Sequence, residues 1–451
     1  MSAAAFDTIV APATPVGRSA LAVVRIDGPL TNAIADSLTG GSSDARIAVH
    51  RYLSHNGELL DDCVVIRYFA PHSFTGNDLA ELTLHGNPLL VERVISAIVD
   101  LGARIAEPGE FTERAVLNGK LDLVQAESIA DLIAARTSLQ AKLSLTNLRG
   151  ALSEKAAAIR ESLLFVISRL EAALDFSEEG YDFIGRDEAR AKVEEAIRAC
   201  RAIAETWRRG RATASGLNLV ILGRPNAGKS TLLNRLVGSE RAIVTPIPGT
   251  TRDIVRETIE IGGLPVTIAD TAGLRESSDV VEGIGIERAR EAAAAADIVL
   301  YLIDSTSGLA DEDERELSSL SDPLIVRTKT DLPASFSHRE KVPEGRMRGV
   351  SISAKSDTGV ADLLTTLDQL VRDRFAAPES SATIVNERQR QAIASCEDAL
   401  MSALHSLDSG YEEPIVVVDL YRAANALGLL TGAITNDEIL TEIFSKFCIG
   451  K

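Results

Sequence analysis

Residues 217–231 read LNLVILGRPNAGKST. An apolar run at Leu219–Ile221 enters Gly223-x-x-x-x-Gly228-Lys229-Ser230, and TLLNRLV (231–237) continues with helical spacing. In a strand–glycine loop–helix arrangement, backbone N–H groups wrap α- and β-phosphates at a helix N-terminus that already favours anions. Asn226, Ala227, Gly228, Lys229, Ser230 and Thr231 then form the phosphate site. Lys229 reaches the β- and γ-phosphates, and Ser230 offers its hydroxyl to Mg2+. The bland alternative, a chance glycine turn, is disfavoured by the strand before it and the helix after it.

The base is selected downstream. Asp270-Thr271-Ala272-Gly273 follows the strand-like PVTIA, which puts Asp270 at a strand end facing the magnesium. PGTTRD (248–253) offers Thr251 as a second hydroxyl for that metal. RTKTD (327–331) follows the apolar PLIV, and SISAK (351–355) comes later. In this order they are the parts of a small GTPase domain. Asp331 can accept from both guanine N1–H and the exocyclic amine, which adenine cannot supply; Ser353, Ala354 and Lys355 back the base, and Lys329 and Thr330 complete the motif.

Two positions depart from that pattern. The base-reading motif normally begins with Asn, and this chain has Thr328, so one contact near the base is weakened or re-routed. Many GTPases place a Gln just after DTAG to orient the attacking water, and here Leu274 stands there. LRESSDVVEGIGIERA (274–289) supplies Glu276, Glu282 and Glu287 as candidates, each otherwise a solvated charge. No arginine finger is evident. A monovalent cation near the β–γ bridge can provide the same charge stabilisation, and the Asn226 amide oxygen is a suitable hard ligand for K+, its plain alternative being a polar loop filler.

The remainder of the 451 residues is too much for one core, so two to four domains are expected. The 45% hydrophobic and 25% charged content is that of an ordinary soluble globular protein. No run approaches the roughly 18 consecutive apolar residues of a membrane span, and the N-terminus lacks the basic region and apolar block of a secretory signal. Cys63, Cys200, Cys396 and Cys448 lie far apart without a CxxC pair, which argues against a zinc site or disulfide framework and suits a reducing cytoplasm. A net charge of −18 means that any nucleic-acid partner must meet a local basic patch.

The expected fold is multidomain α/β and α+β. Residues 1–118 mix short β-branched runs with turn clusters, and 119–214 are Ala-rich with an apolar stripe at Leu152, Ile159, Leu163, Val166, Leu170 and Leu174. Strands and helices alternate over 215–378, and helices return over 379–451. This is a P-loop GTPase domain inserted into a helical bundle domain, preceded by an α+β domain.

Taken together, DTIVAPATPVGRSALAVVRIDGP, NGKLDLVQAESIADLI, GRPNAGKSTLLNRL, VTPIPGTTRD, DTAGLRE…EGIGIERA and the terminal FCIGK resemble the tRNA-modification GTPases of the MnmE (TrmE) family over essentially the whole chain. The resemblance implies a cytoplasmic homodimer joined through an N-terminal domain similar to the tetrahydrofolate-binding fold of one-carbon enzymes. It implies G domains that close on each other with GTP and potassium, and a heterotetramer with an FAD- and NADH-using flavoprotein of the MnmG (GidA) family. The expected product is a carboxymethylaminomethyl or aminomethyl group at C5 of the wobble uridine (U34) of certain tRNAs. Its one-carbon unit comes from 5-formyl- or 5,10-methylene-tetrahydrofolate. By residue match, Arg25, Glu81, Lys120 and Lys451 contact folate. Asn226 and the loop Thr245, Pro246, Ile247, Pro248, Gly249 and Thr250 line the nucleotide, with Asn226, Thr245, Ile247 and Thr250 holding potassium. Glu282 matches the residue that positions the hydrolytic water.

The chain ends FCIGK, with Cys448 reading as the tip of a last helix. CIGK lacks the aliphatic and terminal residues of a prenylation signal. A lone cysteine is more often a small core hydrophobe, but the resemblance brings this segment to the folate pocket and makes Cys448 a catalytic candidate. WRRGR (207–211) is either a tRNA contact or a helix C-terminus whose cations complement the dipole. The competing functional class is a regulatory GTPase switch in ribosome assembly, but no GXXG loop of a KH module occurs outside the P-loop domain.

Overall fold

The computed structural model describes residues 7–175, 183–238, 256–269, 291–333, 349–377, 382–409, 413–434 and 437–450. The chain folds into two compact units. The first comprises 1–130, 147–198 and 392–451, and the second 131–146 and 199–391. The chain therefore leaves the first unit before its GTPase motifs and returns after them, as an inserted domain requires.

In the first unit, strands β1 (Ile9–Pro12), β2 (Leu21–Asp27), β3 (Val49–His55), β4 (Glu58–Tyr68), β5 (Leu79–His85) and β6 (Arg104–Ile105) form one sheet in the order β3-β4-β5-β2-β1-β6. All neighbours are antiparallel except β1 and β6. Alternation sends Val24, Ile26, Leu82 and Leu84 to the face covered by Ile34 and Leu38 of helix Thr31–Thr39 and by Val94 and Ile98 of helix Pro88–Asp100. The same alternation turns Arg25 and Glu81, partners in the β2–β5 register, to the opposite face. An ion network, buried at Arg114 and Asp27 and open at Arg104, ties that face together: Arg114 contacts Asp27 at 3.0 Å and Glu110 at 2.8 Å, and Arg104 contacts Glu110 at 2.6 Å. Burial pushes the Glu110 carboxyl up, but the guanidiniums of Arg104 and Arg114 and the Glu107 N–H outweigh it and hold it below its ordinary range.

The helical part of this unit contains Ala151–Asp175, whose Leu152, Ile159, Leu163, Val166 and Leu170 are buried as the periodicity requires. Helix Glu413–Thr431 packs along it and buries Val416, Leu420, Ala423 and Leu427. Among the described residues this is the one helix long and apolar enough to cross a membrane. It carries Asp419 and Arg422, and half of its most apolar window is buried.

In the second unit, β7 (Leu217–Gly223), β8 (Arg256–Ile261), β9 (Leu264–Ala269), β10 (Ile298–Asp304), β11 (Leu324–Thr328) and β12 (Gly349–Ser351) are ordered β12-β11-β10-β7-β9-β8. Only the β8–β9 pair is antiparallel. The central strands are apolar on both faces, as strands of a covered parallel sheet must be. Leu232 and Leu236 of helix Lys229–Val237 and Leu363, Leu367 and Val371 of helix Val360–Arg374 cover one face. Leu317 of helix Asp311–Ser319 packs on the other against Tyr301 and Ile325. The carboxyl ends of β7, β10 and β11 lie side by side, which is where an open α/β sheet binds its ligand.

Two local expectations are corrected. WRRGR does not end a helix. Helix Arg186–Ala204 stops before it and helix Trp207–Ser215 begins with it, because Thr206 donates its hydroxyl back to Ile203 O at 2.6 Å and accepts from Ile384 N at 3.2 Å. Gly210 then lies so close to Ile384 that a Cβ would sit 2.1 Å from its carbonyl oxygen. Each cation of the cluster has a partner in this unit: Arg208 lies over Phe375, Arg209 donates to Asp373 O and Arg211 pairs with Asp297. Cys448, likewise, is not on a helix, since the last one spans Asp437–Phe444.

Candidate functional site

The phosphate loop is shaped by three left-handed residues, Gly223 (φ 135°), Asn226 (φ 61°) and Gly228 (φ 93°). At Gly223 the φ and the space act together, because a Cβ would sit 2.5 Å from Leu302 O. Lys229, the first residue of its helix, donates to the loop carbonyls of Gly223 at 2.7 Å and Arg224 at 2.9 Å, so its ammonium is held over the concavity. Ser230 and Thr231 follow on the exposed side of the first turn.

The guanine motif meets this loop through Thr328. Its buried hydroxyl donates to Ala227 O at 2.7 Å, tying the motif to the phosphate loop. Thr328→Val keeps the shape and deletes the donor, leaving a buried carbonyl unpaired. It should destabilise the second unit by about 1–3 kcal/mol and weaken GDP binding without admitting ATP. Thermal melts and fluorescent-nucleotide titrations check both, and unchanged GDP affinity would mean that Thr328 plays no part in the site.

Lys329, left-handed at φ 57°, places Nζ 2.7 Å from Asp304 Oδ2 at the end of β10. Burial raises the Asp304 carboxyl, yet the hydrogen bonds from Lys329 and Thr306 hold it below its usual value. Asp331 is also held low, first by a hydrogen bond from Ser353, then by its own backbone N–H and, at longer range, by the charge of Lys355. It is thus a carboxylate poised to accept. Ser353 itself is buried and fixed by Thr358 and Ser356, Ala354 O accepts from Arg235 at 2.9 Å, and Thr330 N donates to Ile352 O. Sequence reading missed Asp304; its signal was a carboxylate at the end of the apolar IVLYLID strand.

In the first unit, Arg25 donates through Nε at 3.1 Å and Nη2 at 2.7 Å to Glu81 Oε1. The guanidinium lies 5.5 Å from the Phe74 ring and 5.6 Å from the Phe111 ring, and Tyr68 donates to Glu81 Oε2 at 3.3 Å. Lys120 donates to Pro71 O at 3.0 Å, on the loop that carries Phe74. Phe111 is a core residue, as an isolated aromatic reads in the sequence, with Phe74 packed against it; that these rings and Tyr68 surround the Arg25–Glu81 pair was not legible there.

The chain end joins the same unit. Ile449 bridges Pro108, Cys448 O accepts from Gly109 N, and Gly450 (φ 92°) lies so close to Pro12 that a Cβ would be 2.0 Å from its carbonyl oxygen. Pro12 follows Ala11, the ladder partner of Arg25, and Gly109 precedes the helix that carries Phe111. The Cys448 thiol is exposed, which removes the buried-hydrophobe reading. Thr245, Pro246, Ile247, Pro248, Gly249, Thr250, Thr251, Asp270, Thr271, Ala272, Gly273, Glu282 and Lys451 lie outside the described residues, as do Glu276 and Glu287.

Residues 8–120 match the family model of the GTP-binding protein TrmE N-terminus, and residues 123–448 match that of the MnmE helical domain. The chain is 40% identical over 457 residues to the tRNA modification GTPase MnmE of Koribacter versatilis, spanning 99% of both chains. It is 40% identical over 465 residues to that of Salinibacter ruber, again over 99% of both. With that of Aquifex aeolicus it shares 38% over 455 residues, spanning 99% of this chain and all of the relative.

Proposed function

Because this chain belongs to the MnmE family of tRNA modification GTPases, we propose that it couples potassium-dependent GTP hydrolysis to one-carbon modification of the wobble uridine. That it is a GTPase of tRNA modification follows from the family. The finer reading is as follows. The residues from Asn226 to Thr231, the loop 245–251, Asp270–Gly273, Thr328–Asp331 and Ser353–Lys355 bind GTP. Ser230 and Thr251 hold Mg2+; Asn226, Thr245, Ile247 and Thr250 hold K+. Arg25, Glu81, Lys120 and Lys451 bind the tetrahydrofolate derivative that brings the one-carbon unit. The domain limits are 1–118, 119–214, 215–378 and 379–451. The protein acts in the cytoplasm as a homodimer, in a heterotetramer with the FAD- and NADH-using MnmG-type partner.

The observation that carries the one-carbon part is the Arg25–Glu81 pair set against Phe74 and Phe111, one strand from the chain end bearing Cys448. A carboxylate whose arginine partner is fixed against two core aromatic rings suits a flat aminopyrimidine-type heterocycle, whose adjacent N–H groups it can accept. For the metals, Ser230 on the first turn of its helix supplies a hydroxyl oxygen, and Asn226, held left-handed in the loop, supplies a hard amide oxygen. A bound K+ would add positive charge where it develops in hydrolysis.

Mass spectrometry of wobble nucleosides from tRNA, with and without the gene, tests this reading. Loss of the C5-substituted uridine on deletion and its return on complementation are expected; unaltered uridine would leave the ribosome-assembly switch as the better reading. GTP turnover should also rise at least tenfold on replacing Na+ by K+ at matched ionic strength, and equal rates would remove the potassium site.

A further inference from the structure

Arg224, the residue after Gly223, is a variable position of the phosphate-loop pattern, yet its side chain is strongly committed. Its Nε lies 3.0 Å from Asp313 Oδ2, and Nη2 donates to Ser307 Oγ at 3.3 Å and to the Gly308 carbonyl. Asp313 is fully buried at the third position of helix Asp311–Ser319. Its Oδ2 also accepts from Ala310 N at 2.9 Å, an ordinary helix-capping duty. Its Oδ1 takes the hydroxyl of the buried Tyr301 at 2.9 Å, and that hydroxyl also lies 2.9 Å from Glu316. Capping alone needs no cation, but a buried carboxylate does, and here the cation comes from the phosphate loop rather than from the helix's own neighbours.

The turn that Arg224 grips leads to the base end of the site. The backbone N–H groups of Ser307 and Gly308 both donate to Asp304 O, at 3.2 and 2.8 Å, and the Asp304 carboxylate holds Lys329 of the guanine motif. Thr328 meets the same loop at Ala227. The phosphate loop is thus fastened at both ends, and each fastening runs to the guanine motif.

We propose that Arg224 is a positioning residue for GTP: through Asp313 and Gly308 it locks the phosphate loop to the turn after β10, so that the phosphate end and the base end keep one register. This rests on the reading of residues 223–230 as the nucleotide loop. A shift of the loop would weaken every phosphate contact at once, because an ångström of misplacement carries a large cost in an oriented site.

The test is release of a fluorescent GDP analogue from the full chain. Arg224→Ala should release it about tenfold to a hundredfold faster, at a temperature where circular dichroism shows the variant folded. Arg224→Lys, which keeps the charge but loses the planar fork, should fall between. Millimolar guanidinium ion should slow release from Arg224→Ala without raising its melting temperature, and leave the wild type unchanged; a merely stabilising role would move both together. Wild-type release from folded Arg224→Ala would overturn the proposal. Should that variant not fold, Arg224→Lys is judged by the same criterion. A wild-type chain that binds no GDP would overturn the nucleotide-loop reading itself, and the proposal with it.

Discussion

Glu282→Ala is expected to slow GTP hydrolysis about a hundredfold to a thousandfold while GTP binding changes little. Leu274 stands where many GTPases carry a water-orienting Gln, and a leucine can neither donate to nor accept from a water. The water must therefore be held by another group, and the role proposed for Glu282 is to hold it. An interaction made only in the transition state lowers turnover without touching ground-state affinity. Single-turnover hydrolysis and nucleotide titration on one preparation separate the two quantities. If affinity and turnover fall together, Glu282 shapes the site rather than holding the water.

Cys448→Ser should reduce uridine modification at least tenfold while GTP turnover stays near normal. The thiol is exposed, on a segment pinned to Pro108 and Pro12 beside the Arg25–Glu81 pair. Serine conserves size but is a far weaker nucleophile near neutral pH than a thiol, which is partly thiolate there. Because the side chain is not packed, the melting temperature should stay within about 1 °C, since exposed substitutions away from special contacts move stability little. Full modification by the variant would show that the thiol is not needed; a role for the segment's backbone would then be tested by Gly450→Ala, which forces a Cβ against Pro12.

Arg114 supports the fold of the first unit rather than a ligand. Removing it to probe the first unit would leave Asp27 as a buried carboxylate without its cation, and the fold would suffer before any ligand site did.

By itself the sequence determined whatever depends on near neighbours. The phosphate loop was legible because strand, glycine turn, lysine and helix lie within fifteen residues, 217–231. The stripe of helix Ala151–Asp175 follows from a periodicity of 3.6, and the both-faces-apolar strands of the second unit from short continuous apolar runs. Tertiary structure alone decided which distant groups meet. Arg25 and Glu81 are 56 positions apart and pair because β2 and β5 are adjacent in one register, and a slip of one residue would send one of them to the helix-covered face. Thr328 and Ala227 are 101 positions apart, joined because β7 and β11 both flank β10. WRRGR and Cys448 were misplaced on helix ends because a helix stop made by a contact from elsewhere in the chain, such as Ile384 on Thr206, leaves no mark in the local pattern. Composition and spacing encode what a segment can become; strand order and register, set by burial of the whole, choose its partners.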